Sequence, residues 1–257
     1  MVTIELEWEY KLSEERVLYL KNDDRIIVTM GDKNMKFFID DANVEEIKRL
    51  LDLYPIDGVS TNPSILAKQK KDPVELLKEI RKVIGKDALL FAQTLGNTSE
   101  QIVKDGKYLY ELLGKNTIIK IPTTPEGIKA IKELTKLGIP TCGTTVYYPI
   151  QAFMAAKAGA IYVAPYVNRI DNLGYDGVAA VTQIHNIFKN NNMNCDILAA
   201  SFKNSNQVLR LIENGVGSVT AAPSVIDNLF MNPVVDKAID DFAKDFKNLT
   251  NKETFSD

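Results

Sequence analysis

Between residues 36 and 222 the chain alternates, eight times over, between a short apolar run and a longer amphipathic segment, and few architectures accommodate that rhythm. The short runs are 36–40, 58–61, 89–94, 117–121, 140–146, 162–167, 196–201 and 218–222. Several are apolar at nearly every position, the pattern of parallel strands buried on both faces. Between them, Val44, Ile47, Leu50 and Leu51, or Ile128, Ile131 and Leu134, recur at spacings of three and four and make one apolar helix face. Gly138, Gly159 and Gly215 stand where such helices would stop in a left-handed residue, and Pro73 and Pro125 stand where two would begin. A doubly wound nucleotide-binding sheet is the competing arrangement. Asp40-Asp41-Ala42-Asn43 follows the first strand, however, where that fold carries a glycine-rich phosphate turn. The reading is therefore an α/β chain folded as a single (β/α)8 or TIM barrel over residues 35–257.

Residues 1–34 have another texture. Positions 3–8 alternate with a period of two and 25–30 read as a second short strand, so a small β-hairpin is expected there, an N-terminal extension with no part in the chemistry. From Glu5 to Tyr10 this stretch is acidic and aromatic, where a secretory signal has a basic start and an apolar centre. No apolar run reaches the length of a membrane span. Cys142 and Cys195 lack the number and spacing of a disulfide framework or a zinc site. A cytoplasmic location with free thiols is the expectation. A formal net charge of -3 gives no broad attraction for nucleic acid or acidic lipid, which leaves small metabolites as partners. The single histidine, His185, lies between Ile184 and Ile187 on a helical stretch and reads as a helix-flank residue. Metal sites built on several histidines are thereby excluded, and any Ser/His or Cys/His pair would have to use this one. Neither a metal nor an organic cofactor is expected.

Lys120 narrows the chemistry most. The run Thr117-Ile118-Ile119-Lys120-Ile121-Pro122 sets an ammonium group in the middle of an apolar strand, and in a barrel both faces of a strand are covered. Loss of hydration disfavours the charged form of such a group, and the neutral amine is a nucleophile able to condense with a ketone. The resulting iminium withdraws electrons, so a neighbouring C–C bond can break and leave an enamine. A lysine that reaches the strand end, or pairs with an acid, is the plainer alternative.

Other polar residues recur at the same end of the strands. Asp40 ends the first run, Asn62 follows the second, Gln93 lies near the end of the third, Thr144 is in the fifth, and Tyr166 and Ser201 come from the sixth and seventh. In a barrel these ends converge on one face, where active sites are built. Each also has a plain structural use: Asp40 and Ser201 as helix caps, Asn62 in a turn with Pro63, Tyr166 in the core.

The motifs Phe38-Ile39-Asp40, Gly58-Val59-Ser60-Thr61-Asn62-Pro63-Ser64, Phe91-Ala92-Gln93, Ile119-Lys120-Ile121-Pro122, Gly138-Ile139-Pro140-Thr141, Tyr162-Val163-Ala164-Pro165-Tyr166-Val167-Asn168-Arg169-Ile170-Asp171 and Ala199-Ala200-Ser201-Phe202-Lys203 follow one another in this order. Taken together they resemble the transaldolase family, in particular its short branch, the fructose-6-phosphate aldolases. The resemblance implies a barrel of class I aldolase type in which Lys120 forms the Schiff base, while Asp40 and Asn62 orient it and the hydroxyls of the bound ketone. It implies that Gln93, Thr144 and Tyr166 hold a proton-shuttling water, with Tyr166 as the acid/base group. It assigns the substrate phosphate to Arg169 and Ser201, a role that suits the planar fork of a guanidinium. An ion pair with Asp171 is the alternative use of Arg169. The resemblance also implies rings of subunits, pentamers and decamers, in which a C-terminal helix reaches a neighbour. Residues 234–246 supply such a helix, so a homo-oligomer is expected.

Transaldolases usually carry a glutamate where this chain has Gln93 and a phenylalanine where it has Tyr166, so the resemblance favours the aldolase branch. The expected reaction is reversible cleavage of fructose 6-phosphate to dihydroxyacetone and glyceraldehyde 3-phosphate. Transaldolase activity, in which the enamine is intercepted by erythrose 4-phosphate, is the second reading, and a noncatalytic sugar-phosphate-binding barrel is the third. Ser60 and Asp41 stand where threonines are expected, Thr123-Thr124-Pro125 alters the segment after the lysine, and Ala221-Ala222-Pro223-Ser224 alters the turn after the eighth strand. Barrel phosphate sites form near that last turn, so the anion, phosphate or sulfonate, is open at this point.

Overall fold

The computed structural model describes residues 35–257 together with two short strands ahead of them, 16–19 and 25–28. Those strands, β1 (Arg16–Tyr19) and β2 (Arg25–Val28), pair antiparallel, with Arg16 opposite Val28 and Tyr19 opposite Arg25. The extension thus holds a strand pair, but its first member is 16–19; the alternating stretch 3–8 lies outside the described residues.

Eight further strands follow: β3 (Lys36–Asp40), β4 (Gly58–Ser60), β5 (Leu89–Gln93), β6 (Thr117–Pro122), β7 (Thr141–Val146), β8 (Tyr162–Pro165), β9 (Asp196–Ala199) and β10 (Ser218–Ala221). Each pairs in parallel with its neighbours in sequence, and β10 returns to β3, which closes the barrel. Closure leaves the barrel itself without a free edge. The helices are α1 (Val44–Leu53), α2 (Pro63–Lys68), α3 (Pro73–Ile84), α4 (Ser99–Leu113), α5 (Pro125–Lys136), α6 (Pro149–Lys157), α7 (Val167–Asp171), α8 (Gly177–Asn190), α9 (Ser205–Glu213), α10 (Pro223–Asn228) and α11 (Pro233–Thr250). Their ends follow local chemistry. Asp72 accepts the N–H groups of Val74 and Glu75 ahead of α3, Thr98 and Gln101 form a reciprocal box at α4, and Gly138, at φ +70°, ends α5. The helices α2 and α7 have only six and five residues, too few for a periodic signal, and α7 begins within a run that reads as strand.

Two packed layers follow from strand alternation. Alternate strand residues such as Ile39, Val59, Leu90, Ile119, Ile121, Val163 and Val219 face outward and join Ile47, Leu50, Ile80 and Leu134 of the helices in the larger core. Phe38, Phe91, Ile118, Cys142, Tyr162, Ala164 and Leu198 form a separate buried cluster. The ring of Phe91 on β5 meets that of Tyr162 on β8 edge-on at 5.2 Å, although these strands are not neighbours. They can meet only across the barrel interior, so this cluster is the plug that fills it.

The contact of α5 with β6 bears on Lys120, which is on that strand. Gly127, in the first turn of α5, lies so near the strand that an added Cβ would collide with the Pro122 carbonyl and stand 3.3 Å from Ile121 Cγ2. Backbone has little room to yield. Gly127→Ala is therefore expected to lower the thermal midpoint, at a cost of about 2 kcal/mol or more, as measured by calorimetry; an unchanged midpoint would contradict this packing.

Candidate active site

Alternation also builds the site. Two residues beyond the plug positions Phe38, Phe91, Ile118, Cys142 and Ala164 stand Asp40, Gln93, Lys120, Thr144 and Tyr166, one register step nearer the C-terminal mouth. Lys120 is 3% exposed, and its Nζ donates to Ser60 Oγ at 3.0 Å and to the Thr61 carbonyl at 2.9 Å. Both acceptors are neutral, and Lys120 forms no ion pair among the described residues. The amine borders a cavity of about 350 Å³, whose walls also include Asp40, Asn62, Tyr166, Arg169 and Ser201. Six of the eight residues expected from the sequence thus share one chamber.

Thr144 belongs to the same constellation one contact away: its Oγ1 lies 3.2 Å from the Tyr166 hydroxyl. A bulge sets this aim. The register of β7 against β8 shifts between Gly143 and Val146, and Thr145 takes φ +61°, a left-handed conformation that strains a β-branched residue. The extra residue leaves Thr144 directed inward while Val146 turns outward to the helix-side core. Tyr166 is further held by the edge of Tyr147, with ring centroids 5.6 Å apart, and by the Arg169 guanidinium 4.4 Å above its ring.

Gln93 stands apart. It pairs with Lys120 in the β5–β6 register, yet its side chain lines a second cavity, of about 440 Å³, beside Leu66, Leu77, Leu95, Tyr108 and Leu109. Its Oε1 is shielded from solvent and has no hydrogen-bond partner among the described residues. Asn62 has two uses: its side-chain oxygen accepts the Ile65 N–H at 3.0 Å, capping α2, which leaves its amide nitrogen for the chamber. Ser201 is not a cap. It holds φ +63°, and its carbonyl accepts the Asn168 N–H at 2.7 Å, so the end of β9 is tied to the first turn of α7 and Arg169 is placed beside it. Asp171 is already used, since its carboxylate oxygens accept from the Gly177 N–H and the Gln207 amide, each at 2.6 Å. Arg169 makes no ion pair among the described residues, and the pairing with Asp171 is not formed.

Three residues at or beside the chamber were not among the site residues expected from the sequence. Ser60 and Asp41 are departures from an expected motif there, yet Ser60 accepts from the amine, and Asp41 braces the loop after β3 by accepting the Ala42 and Asn43 N–H groups at 2.6 and 2.9 Å. Lys68 also lines the chamber, from the last turn of a helix too short to be recognised.

Residues 37–256 match the Transaldolase/Fructose-6-phosphate aldolase family. The chain belongs to this family. A relative named "Probable transaldolase", from Hydrogenobaculum sp. (strain Y04AAS1), is 40% identical over 218 residues, which cover 85% of this chain and 99% of that protein. Among solved structures, a thiamine phosphate pyrophosphorylase from Pyrococcus furiosus superposes with a TM-score of 0.50 at 14% identity, over 74% of this chain and 86% of its own. That likeness concerns the barrel alone. Family membership places the protein among enzymes of the transaldolase/aldolase type.

In this transaldolase-family barrel the carboxyl of Asp40 is raised from 3.8 to about 6. Burial is the main cause and the neighbouring Asp41 adds to it, while Lys120, Arg169 and Lys68 oppose it. An acid that holds its proton more tightly when folded favours folding below 3.8, and that contribution is lost as the pH rises through about 6. The interval corresponds to at most about 3 kcal/mol. Asp40→Asn is therefore expected to melt above the parent at pH 7.5 and to lose this advantage as the pH falls toward 4. An advantage independent of pH in paired melting curves would contradict the assignment.

Proposed function

We propose that the protein is a Schiff-base aldolase that reversibly cleaves fructose 6-phosphate to dihydroxyacetone and glyceraldehyde 3-phosphate. The observation that carries this reading is the Lys120 amine, buried, held by two neutral acceptors and bordering a chamber it shares with Tyr166. Its nitrogen attacks the C2 carbonyl of the sugar, and loss of water from the resulting carbinolamine leaves an iminium. As the C3–C4 bond breaks, the C4 hydroxyl gives its proton to the Tyr166 oxygen while the phenol passes its own to water, and the bond's electrons pass into the iminium to give an enamine. Glyceraldehyde 3-phosphate departs. The enamine is then protonated at C3, and hydrolysis frees dihydroxyacetone and restores the amine. Thr144 orients the Tyr166 hydroxyl through their 3.2 Å contact, and Asn62 and Asp40 meet the hydroxyls of the sugar. Asp40, with a carboxyl near 6, can exchange a proton close to neutrality during formation and loss of the carbinolamine. Arg169 and Ser201 receive the phosphate.

Transfer of the same three-carbon unit to an acceptor aldehyde is the second reading, and the name of the Hydrogenobaculum relative favours it. The two differ only in whether the enamine meets a proton or an aldehyde first. Tyr166 favours release, because a phenol can deliver that proton and the phenylalanine common in transaldolases cannot.

The α11 helix supports a homo-oligomer. None of its residues is buried, and it exposes Val234, Ile239, Phe242 and Leu249. An apolar stripe of this kind fits a second copy of the chain, and light scattering is expected to give a mass several times 28.7 kDa.

For the chemistry, borohydride added with dihydroxyacetone is expected to leave a stable adduct on Lys120, and Lys120→Met to abolish both adduct and turnover. Wild-type protein that stays unmodified would leave only sugar-phosphate binding. Fructose 6-phosphate supplied without an acceptor should yield free dihydroxyacetone, and Tyr166→Phe should depress that release more than transfer to erythrose 4-phosphate. Strong transfer with no release by the wild type would favour the second reading.

A further inference from the structure

Charge in the chamber does not balance. Its walls carry two carboxylates, Asp40 and Asp41, and three cationic side chains, Lys120, Arg169 and Lys68. When Lys120 carries a substrate as an iminium, that nitrogen and Arg169 together match the two acids, and Lys68 is in excess. Asp41 already spends one oxygen on two backbone N–H groups, and Lys68 has no hydrogen bond or ion pair among the described residues.

The direction of Lys68 follows from α2. Asn62, Ile65, Lys68 and Gln69 are spaced at three and four and form the face of this segment that walls the chamber, while Pro63, Leu66 and Ala67 face the second cavity. Lys70, at φ +52°, ends the helix, and Lys71 turns away to an exposed pair with Glu79 at 3.2 Å. One lysine of this basic stretch thus looks inward. It also stands at a useful distance: six residues beyond Asn62, about 9 Å along the helix axis, with Asn62 adjoining the carbonyl that accepts the Lys120 amine. The phosphate of a ketose phosphate is likewise at the far end of the molecule from its carbonyl. Arg169 reaches the chamber from the wall formed by α7, and the Asp40 carboxyl feels both cations.

We infer that Lys68 is a specificity-determining residue: with Arg169 it forms a two-cation grip that selects a dianionic phosphate over a monoanionic sulfonate or an uncharged terminus. A phosphate monoester carries close to two negative charges above its second pKa of about 6, and a sulfonate carries one. One cation answers a single charge; the second discriminates. This inference deepens the sugar-phosphate reading of the site and rests on it for the choice of substrate, but binding can be measured without turnover.

Calorimetric titration at pH 7.5 with glycerol 3-phosphate and with the monoanionic analogue 2,3-dihydroxypropane-1-sulfonate, which lacks the bridging oxygen, tests the grip directly. The wild type is expected to prefer the phosphate by about tenfold, the scale of one exposed charge-assisted contact. Lys68→Met should lose most of that preference through weaker phosphate binding, and Lys68→Arg should restore it. Equal affinity of the wild type for both ligands, no binding of either, or a Lys68→Met preference equal to the wild type's would each overturn the inference. In turnover, Lys68→Met should lower kcat/KM for glyceraldehyde 3-phosphate about tenfold relative to that for unphosphorylated glyceraldehyde. A wild type that discriminates between the probes through Lys68 yet cleaves no sugar would sink the aldolase reading and leave the anion grip standing.

Discussion

One amine inside a closed wall of strands sets the terms for the rest of the molecule. Lys120 is surrounded by an interior that offers its Nζ two neutral oxygens, Ser60 Oγ and the Thr61 carbonyl. Such a group is tolerated in a protein interior only if its hydrogen bonds are met. The acceptors come from β4 and the turn that follows it, two strands away in the barrel, so the amine is satisfied only when β4, β5 and β6 have assembled side by side.

The surroundings of that amine depart from structural ease at several points. Thr145 and Ser201 hold left-handed backbones, Asp40 carries a carboxyl displaced toward its protonated form, and Gln93 keeps an unpartnered oxygen. These residues lie at or just beyond strand ends on the mouth of the barrel. Strain there is tolerated because two packed layers beneath it supply the stability, and departures from ideal backbone geometry concentrate where function is built.

The sequence was legible where the physics is periodic. All eight barrel strands were found within two residues of their ends, because a strand buried on both faces is apolar throughout and the helices between carry a stripe. The alignment of Asp40, Lys120, Thr144 and Tyr166 at one level was legible for the same reason, since a period of two fixes which side chains point inward. Lys68 escaped because a six-residue helix shows no period and a lysine in a basic surface stretch carries no mark of direction. The detachment of Gln93 escaped too: its place on β5 is clear from sequence, but which cavity a flexible amide enters depends on how α2, α3 and α4 pack around it. Asp171 was plausible as a partner for Arg169 until Gly177 and Gln207, distant in sequence, were seen to occupy its oxygens.

The aromatic plug has a kinetic corollary. With Phe38, Phe91 and Tyr162 filling the barrel beneath the lysine, the space above is a blind alley, and all traffic shares one passage. Whatever fragment sits nearer the opening must diffuse off before a newcomer can approach the piece retained at the dead end. The floor of this barrel therefore imposes a queue, last in and first out, on any ligand that is split within it.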